Sequence, residues 1–127
     1  MPKWTYKITI ANRLERDLEL ISSSIPWGQE QTFPSMIAAG RVDSYEVHSS
    51  AGTMTGIEFY ATLQDKIPQA SDAHYGLVEI KVDMPYWKTK NTTSCTGTGV
   101  IEVSNFSAAP DGVHDFNTTV SISKKQL

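Results

Sequence analysis

Two adjacent aromatic side chains and two lysines stand close together in the segment 83–91, which reads Asp-Met-Pro-Tyr-Trp-Lys-Thr-Lys-Asn. Tyr86 and Trp87 each combine an apolar ring with a polar tip, a combination that suits a boundary between an oily and a wet phase. A loop gains little core burial from adjacent rings, so they either fold back onto the body of the protein or are presented to a ligand. Lys88 and Lys90 follow in the same segment.

The residues before these rings alternate in the manner of a β-strand. In residues 76–82, apolar side chains would lie on one face and charged side chains on the other: Val78, Ile80 and Val82 against Glu79 and Lys81. Pro85 has no backbone N–H and a fixed φ, so the strand must end near Met84. The aromatic pair is therefore predicted to lie in the loop that follows this strand.

The other two tryptophans occupy different settings. Trp27 lies in Pro26-Trp27-Gly28, which breaks the strand pattern and is predicted to be a second loop with a ring beside a proline. Trp4 shares one face of the first predicted strand with Ile8 and Ile10, a position that is typical of a core residue. Trp27 has the same two interpretations as Trp87, since a ring in such a loop either plugs the end of a sandwich or meets a ligand.

Seven alternating segments and their turn signals define the predicted fold. Strands are predicted at 3–10, 14–22, 44–50, 57–63, 76–82, 99–106 and 116–123, with a short helix as the alternative for 14–21. Irregular segments or turns are predicted at 25–28, 29–41, 51–56, 64–74 and 108–112, and a frayed tail at 124–127. Short strands at this spacing favour an all-β fold, a single antiparallel β-sandwich domain over residues 1–127.

Charge and composition exclude several classes of function. The chain has 39% hydrophobic and 20% charged residues, as soluble globular domains do. Its net charge of −3 and its lack of a basic stripe argue against a nucleic-acid partner. The same charge argues against docking on anionic lipid through a polybasic patch. Contact with a membrane would have to come from aromatic rings and a specific head group.

Residues that bind metals or catalyse reactions are sparse and scattered. Cys95 is the single cysteine, so the sequence offers neither a disulfide framework nor a thiolate metal cluster. His48, His74 and His114 are far apart and form no metal-binding spacing, and no nucleophile motif accompanies them. We therefore predict no metal, no cofactor and no enzymatic activity.

The hydropathy pattern bears on where the protein acts. Residues 1–7 are strand-like and lack the apolar core of a signal peptide, and no apolar run reaches the length of a membrane span. We expect synthesis in the cytoplasm. Action outside the cell would then require lysis or another route of release.

Three short motifs follow one another in a definite order. They are Trp4 and Tyr6 before Ile-Thr-Ile-Ala-Asn at 8–12, then Pro26-Trp27-Gly28, then Asp83-Met84-Pro85-Tyr86 with Asn91 beyond it. Together they resemble the aegerolysin family of small all-β membrane-binding proteins, whose corresponding motifs include Ser-Trp-Gly and Asp-Cys-Pro-Trp. The order, with Thr-Met-Thr-Gly at 53–56 running into a strand, is also similar to the small bacterial insecticidal crystal proteins of that family. Here Tyr86 takes the family's Trp position, Trp87 stands where Gly is common, and Met84 replaces Cys.

The resemblance implies a β-sandwich that recognises a membrane lipid, such as a sphingolipid with or without sterol. It implies a cytolytic or hemolytic, insecticidal pore-forming toxin that acts on target-cell membranes with a second, larger pore-forming protein, and it allows a homo-oligomer. Roles follow for particular residues. Rings would be inserted into the membrane interface by Trp27, Tyr86 and Trp87, with Trp4 as a fourth. Lipid phosphate would be met by Lys88 and Lys90. A choline, an amine or a sphingoid hydroxyl would be recognised by Glu58 or Glu79 as the acceptor.

Other interpretations of the same residues remain open. Aromatic rings flanked by polar loop residues also stack on sugars, which would make the protein a carbohydrate-binding lectin. A structural or crystal protein without a ligand would use its long loops as packing surfaces. Glu58 and Glu79 lie on the outward rows of two predicted strands, where they either converge on a ligand or belong to solvated faces.

Overall fold

The computed structural model describes residues 4–49, 55–69 and 73–126. Within these residues the chain forms ten β-strands, and no helix is long and apolar enough to cross a membrane. The predicted all-β class is confirmed, with more strands than the seven expected. The strands are β1 Thr5–Asn12, β2 Leu18–Trp27, β3 Gln29–Thr32, β4 Met36–Ile37, β5 Val42–His48, β6 Ile57–Asp65, β7 Leu77–Met84, β8 Thr92–Gly97, β9 Ile101–Ser104 and β10 Asp115–Lys124.

The strands form two five-stranded sheets that pack face to face. One sheet has the order β3-β5-β1-β10-β9 and the other the order β4-β2-β6-β7-β8. The described pairs are antiparallel except for β1 with β10, which run parallel and in register from Thr5 opposite Asp115 to Asn12 opposite Ile122. This mostly antiparallel sandwich is the architecture that the sequence predicts.

The alternation of the strands places the core between the two sheets. In β1 and β6 every second side chain is buried, which is the period-two pattern of a strand with one face on the core. The largest completely buried side chains come from both sheets and include Tyr6, Tyr45, Phe59, Ile80 and Met84. As predicted, Val120 and Ile122 of β10 also point inward and are fully buried.

The second strand differs from its prediction at both ends. It begins at Leu18 and not at Leu14, because the buried side chain of Asn12 organises a bend there. Its Oδ1 accepts from the N–H of Leu14 at 3.0 Å, and its Nδ2 donates to the carbonyl of Arg16 at 2.9 Å. The helix alternative for 14–21 is wrong, since residues from Leu18 onward pair with β6.

The predicted loop at 25–28 is also wrong in part, because β2 continues through Pro26 to Trp27. The proline is accommodated at an irregularity in the pairing with β6 between Ser24 and Trp27. Gly28, at a φ of 123°, then turns the chain into the other sheet. Within the predicted irregular segment 29–41 lie the short strands β3 and β4. The first has no apolar residue and the second is only two residues long, so neither gives an alternating signal.

The sequence prediction omits β8 entirely. Its residues read Thr-Thr-Ser-Cys-Thr-Gly, and Cys95 is the single buried apolar side chain among them. The strand forms because β7 offers it a complete ladder, from Val78 opposite Gly97 to Asp83 opposite Thr92. Of the predicted turn 51–56, residues 51–54 lie outside the described part of the chain.

The strand registers bring most of the predicted site residues, though not Glu79, to one end of the sandwich. At this end lie the start of β1 next to Trp4, the end of β2 at Trp27, and the β6–β7 pair that joins Ile57 to Met84. Pro85 follows directly, so β7 ends at Met84 as predicted. The loop 85–91 therefore projects from this end.

Candidate functional site

Three large aromatic side chains are exposed at this end of the molecule. Trp87 is 75% exposed, Trp27 is 55% exposed and Tyr86 is 38% exposed. We call the surface formed by these three rings the aromatic pole. Tyr86 and Trp87 contact each other edge to face, with ring centroids 5.0 Å apart. The rings of both predicted loops therefore face solvent and do not plug the end of the sandwich.

The aromatic pole borders a cleft of about 390 Å³. It lies between the end of β2, the start of β6 with the two residues before it, and the end of β7 with the loop that follows. The lining residues are Trp27, Thr55, Gly56, Ile57, Glu58, Asp83, Pro85, Tyr86, Trp87 and Lys88. Its volume lies within the range of small-molecule binding sites.

Two carboxylates face each other across strands in this cleft. Glu58 of β6 pairs directly with Asp83 of β7, and Trp27 of β2 pairs with Glu58 on its other side. Directly opposed side chains on one face have Cβ atoms about 4.5–5.5 Å apart, and like charges in this arrangement repel. Tyr60 donates a hydrogen bond from its hydroxyl to Glu58. The cleft thus combines aromatic rings with two acceptor groups that favour a cation.

The electrostatics of the cleft follow from this crowding. Burial raises the pKa of Asp83, the neighbouring Glu58 carboxylate raises it further, and Lys88 works in the opposite direction. The hydrogen bond to Glu58 raises the pKa of Tyr60 to about 12. In the free protein, burial and the neighbouring Glu58 carboxylate therefore disfavour the ionised form of Asp83. A cation bound between the two carboxylates would relieve their repulsion.

The other predicted site residues lie outside this cleft or beneath it. Glu79 is opposite Thr62, four residues along β6 from Glu58, which is about 13 Å at the usual rise of a strand. The two glutamates on neighbouring strands therefore do not converge. Lys88 lines the cleft, whereas Lys90 is exposed in the same loop and is not part of the lining.

Trp4 does not present its ring to solvent. It is 7% exposed, so its interpretation as a core residue fits the structure and its interpretation as a fourth inserted ring does not. Its indole stacks on Tyr86 at a centroid distance of 5.6 Å and on the imidazole of His114 at 4.1 Å. Trp4 is thus a buried ring that packs against the aromatic pole through Tyr86.

Asp83 and the segment Thr55–Ile57 are site residues that the sequence prediction missed. For Asp83 a signal was present, because it continues the outward row of Glu79 and Lys81 at the same spacing of two. For Thr55 and Gly56 the sequence has no such signal, since their place in the cleft depends on how closely Gly56 approaches the end of β7. Among the residues described, no group of three or more His, Cys, Asp or Glu side chains is arranged to hold a metal ion.

Gly56, which lines the cleft, lies very close to the backbone at the end of β7. A Cβ atom at this position would lie 1.9 Å from the carbonyl oxygen of Met84 and 2.8 Å from the amide nitrogen of Tyr86. We expect Gly56→Ala to force these backbones apart and to lower the free energy of unfolding by about 2–4 kcal/mol, in the range of overpacking substitutions. Urea unfolding measures this change.

Gly40→Ala is the control for this prediction, because a Cβ there would meet nothing within 4 Å. Gly40 has a φ of 73°, so alanine costs about 1–2 kcal/mol for the left-handed conformation alone. If Gly56→Ala destabilised the protein less than Gly40→Ala, the close approach at Met84 would have no structural importance.

The two packed sheets define the class of fold, which this chain shares with several solved structures. IP-1A from Alcaligenes faecalis is similar with a TM-score of 0.73 at 17% sequence identity, over 97% of this chain and 92% of IP-1A. RahU, in complex with a TRIS molecule, has a TM-score of 0.65 at 12% identity, over 97% of this chain and 96% of RahU. The lipid binding protein Nakanori has a TM-score of 0.65 at 9% identity, over 94% of this chain and 71% of Nakanori.

No protein-family model matches the sequence, and no curated protein matches it. At these low identities the structural likeness shows a shared fold. Membership of the aegerolysin family, which the sequence motifs suggest, remains a prediction.

Proposed function

We propose that this protein binds lipid membranes through the aromatic pole and takes a lipid head group into the adjacent cleft. The observation that carries the proposal is the placement of three exposed rings at one end of the sandwich, beside a cleft with two facing carboxylates. Aromatic rings with a polar tip are the side chains that favour a membrane interface. The shared fold with the lipid binding protein Nakanori supports the same function.

The exposed rings supply a suitable binding energy. Burying one such ring completely stabilises the bound state by about 1.5–3 kcal/mol, and the exposed fractions of the three rings together amount to less than two whole rings. The aromatic pole therefore supplies roughly 2.5–5 kcal/mol before ordering costs. This energy is enough for reversible docking and too small for insertion of the whole domain. We therefore include in the proposal a second, larger pore-forming protein that this chain recruits, which would make it the membrane-binding component of a cytolytic, insecticidal toxin acting on target cells from outside.

The charges in the cleft favour a head group with both an ammonium and a phosphate. An ammonium would sit between Glu58 and Asp83 and against the rings, where cation–π attraction adds to the ionic one. Lys88, which lines the same cleft, would meet the phosphate. Sphingolipids with choline or ethanolamine head groups carry both charges, and sterol would change how deeply the rings enter. The protein acts in this proposal by binding and not by catalysis.

A flotation assay with defined vesicles tests the proposal. Phosphatidylcholine vesicles are compared with vesicles that also contain sphingomyelin or ceramide phosphoethanolamine, each with and without cholesterol, and phosphatidylglycerol vesicles serve as the anionic control. We expect binding to at least one sphingolipid mixture and none to phosphatidylglycerol. If the protein bound none of the mixtures that carry an ammonium head group, the proposal would be contradicted.

Binding should depend on pH through Asp83. Because its pKa is raised in the free protein, Asp83 takes up a proton at a higher pH than an ordinary aspartate. A cationic head group prefers the ionised form, so the affinity rises with pH through the raised pKa of Asp83 and is constant above it. Vesicle titrations from pH 4 to pH 8 measure this dependence. In Asp83→Asn the acidic loss of affinity should shrink, and an unchanged pH profile would remove Asp83 from the head-group site.

A carbohydrate ligand is the second candidate, because rings beside carboxylates also bind sugars through stacking and hydrogen bonds to hydroxyl groups. The cleft contains both kinds of group. Binding to glycans on an array, together with indifference to all vesicles, would favour this second function over the first.

A further inference from the structure

The loop that carries Tyr86 and Trp87 is joined to a second loop, residues 107–114, by hydrogen bonds from backbone N–H groups. The N–H of Gly112 donates to the carbonyl of Thr89 at 2.6 Å, and the N–H of Asn91 donates to Oδ1 of Asp111 at 3.0 Å. Both bonds lie within the last three residues of the ring-bearing loop. The end of this loop, residues 89–91, is therefore held by these hydrogen bonds to a neighbouring turn.

The side chain of Asn91 uses both hydrogens of its carboxamide on that turn. Nδ2 donates to the carbonyl of Pro110 at 2.8 Å and to the carbonyl of Val113 at 2.9 Å. The N–H of Val113 also donates to the carbonyl of Pro110 at 3.3 Å. One carboxamide thus joins both ends of the turn to the end of the ring-bearing loop.

The same turn reaches the rings from the other side. His114 follows it directly and stacks on Trp4, with centroids 4.1 Å apart and planes 12° apart. Trp4 stacks in turn on Tyr86, which contacts Trp87 edge to face. The contacts form a closed path that starts at Asn91, passes through the turn and the stacked rings, and returns to the loop at Tyr86.

We propose that Asn91 is a positioning residue, which holds Tyr86 and Trp87 in their membrane-binding arrangement before any lipid is met. This inference deepens the proposed function and rests on it. A loop that is ordered in advance loses less conformational freedom on binding, so its affinity is higher for the same contacts. Asn91 touches no ligand in this role and acts through the turn 110–113.

The chemistry of the carboxamide makes the role specific. Aspartate has the same shape but lacks the two N–H donors, and it would place a negative charge beside two carbonyl oxygens and the carboxylate of Asp111. Asn91→Asp is therefore the informative substitution. Asn117→Asp is its matched control, because Asn117 is an exposed asparagine on β10 and the change in charge is identical.

The first test measures binding to sphingomyelin–cholesterol vesicles in two backgrounds. We expect Asn91→Asp to weaken binding about tenfold, while Asn117→Asp changes it less than about twofold. In a Tyr86→Ala/Trp87→Ala background, Asn91→Asp should have no further effect, because the rings that it positions are gone. An equal loss in both backgrounds, or a loss matched by Asn117→Asp, would overturn the inference.

A second measurement needs no lipid and separates this inference from the proposed function. Acrylamide quenching and the indole N–H signal of Trp87 report how the free loop is ordered. We expect both to change in Asn91→Asp and to stay as in the unsubstituted protein in Asn117→Asp. If they are unchanged in Asn91→Asp, the inference is wrong whatever the vesicles show; if they change while the unsubstituted protein binds no vesicle, the proposed function fails and the positioning geometry stands.

Asp111→Ala covers the case in which Asn91→Asp does not fold. It removes the acceptor of the Asn91 N–H and keeps both bonds of the carboxamide. We expect the same changes in binding and quenching at a smaller size. A folded Asp111→Ala protein with unchanged binding and quenching would count against the positioning role.

Discussion

Replacing Trp27 and Trp87 together by alanine is expected to weaken binding to sphingolipid vesicles by roughly 30- to 1000-fold. The two indoles are 55% and 75% exposed in the free protein, so these fractions of their surface are what a membrane can bury. At about 1.5–3 kcal/mol per completely buried ring, the double substitution removes roughly 2–4 kcal/mol of binding energy, and each 1.36 kcal/mol is a factor of ten. Flotation at several lipid concentrations measures the partition coefficient.

The control is Val42→Ala, which removes an exposed apolar side chain outside the aromatic pole. Val42 is 63% exposed and lies at the start of β5, whereas the pole lies at the end where β5 finishes. This variant should bind vesicles like the unsubstituted protein. The double variant should keep its stability, because neither indole contributes to the core. A folded double variant with normal vesicle binding would contradict the proposed contact surface.

Asp65→Asn is expected to lower the free energy of unfolding by about 3 kcal/mol, as removing one member of a buried ion pair does. The carboxylate of Asp65 is completely buried and lies 3.0 Å from Nη1 of Arg16, whose side chain is 11% exposed. It also accepts from the N–H groups of Tyr75 and Gly76 at 2.9–3.1 Å. An amide keeps the shape but removes the charge that these donors face. Urea unfolding at pH 7 measures the difference.

The pH dependence of stability gives a second readout for Asp65. Burial alone raises its pKa, but the N–H groups of Tyr75 and Gly76 and the guanidinium of Arg16 outweigh burial and hold the pKa below its ordinary value. A lowered pKa stabilises the fold above the pKa of the unfolded state, about 4, and this contribution is lost as the pH falls through the folded value. Asp65→Asn should therefore flatten the fall in stability at acidic pH.

Glu46→Gln is the control for Asp65→Asn. Glu46 and His48 form a pair at 2.6 Å, but their side chains are 28% and 23% exposed, so breaking it should cost less than about 1 kcal/mol. Asp65 is seven residues along β6 from Glu58, about 23 Å at the usual rise, so folded Asp65→Asn should bind vesicles normally. Equal costs for the two substitutions would mean that burial of the Asp65–Arg16 pair has no importance.

The parts of the fold that the sequence predicts are those with a clear apolar row. Residues 57–63 alternate without interruption, and Val120 and Ile122 share one row of 116–123; the corresponding strands β6 and β10 form with these predicted faces inward. The strands β3 and β8 have almost no apolar side chains, and they exist because a neighbouring strand offers a ladder of hydrogen bonds. Such strands depend on tertiary pairing, so the local sequence pattern does not predict them.

The candidate site divides in the same way. Exposure of the rings in 83–91 follows from the proline that ends β7, and the sequence predicts it as one of two outcomes. The partner of Glu58 depends on register, because a pairing shifted by a few residues would bring Glu79 and not Asp83 beside it. The role of Asn91 depends on the path of a loop nearly twenty residues further along the chain. Neither can be obtained without the three-dimensional arrangement.

Depth-dependent quenching of Trp87 by brominated lipids measures whether the aromatic pole enters the membrane interface. Sphingomyelin–cholesterol vesicles that carry bromine near the head group or deep in the acyl chain are compared, with Trp87→Phe as the reference that retains Trp27 and the buried Trp4. We expect a blue shift and strong quenching by the shallow label, both of which are reduced in Trp87→Phe. Vesicle-bound protein whose emission is neither shifted nor quenched, or is quenched equally without Trp87, would contradict this expectation.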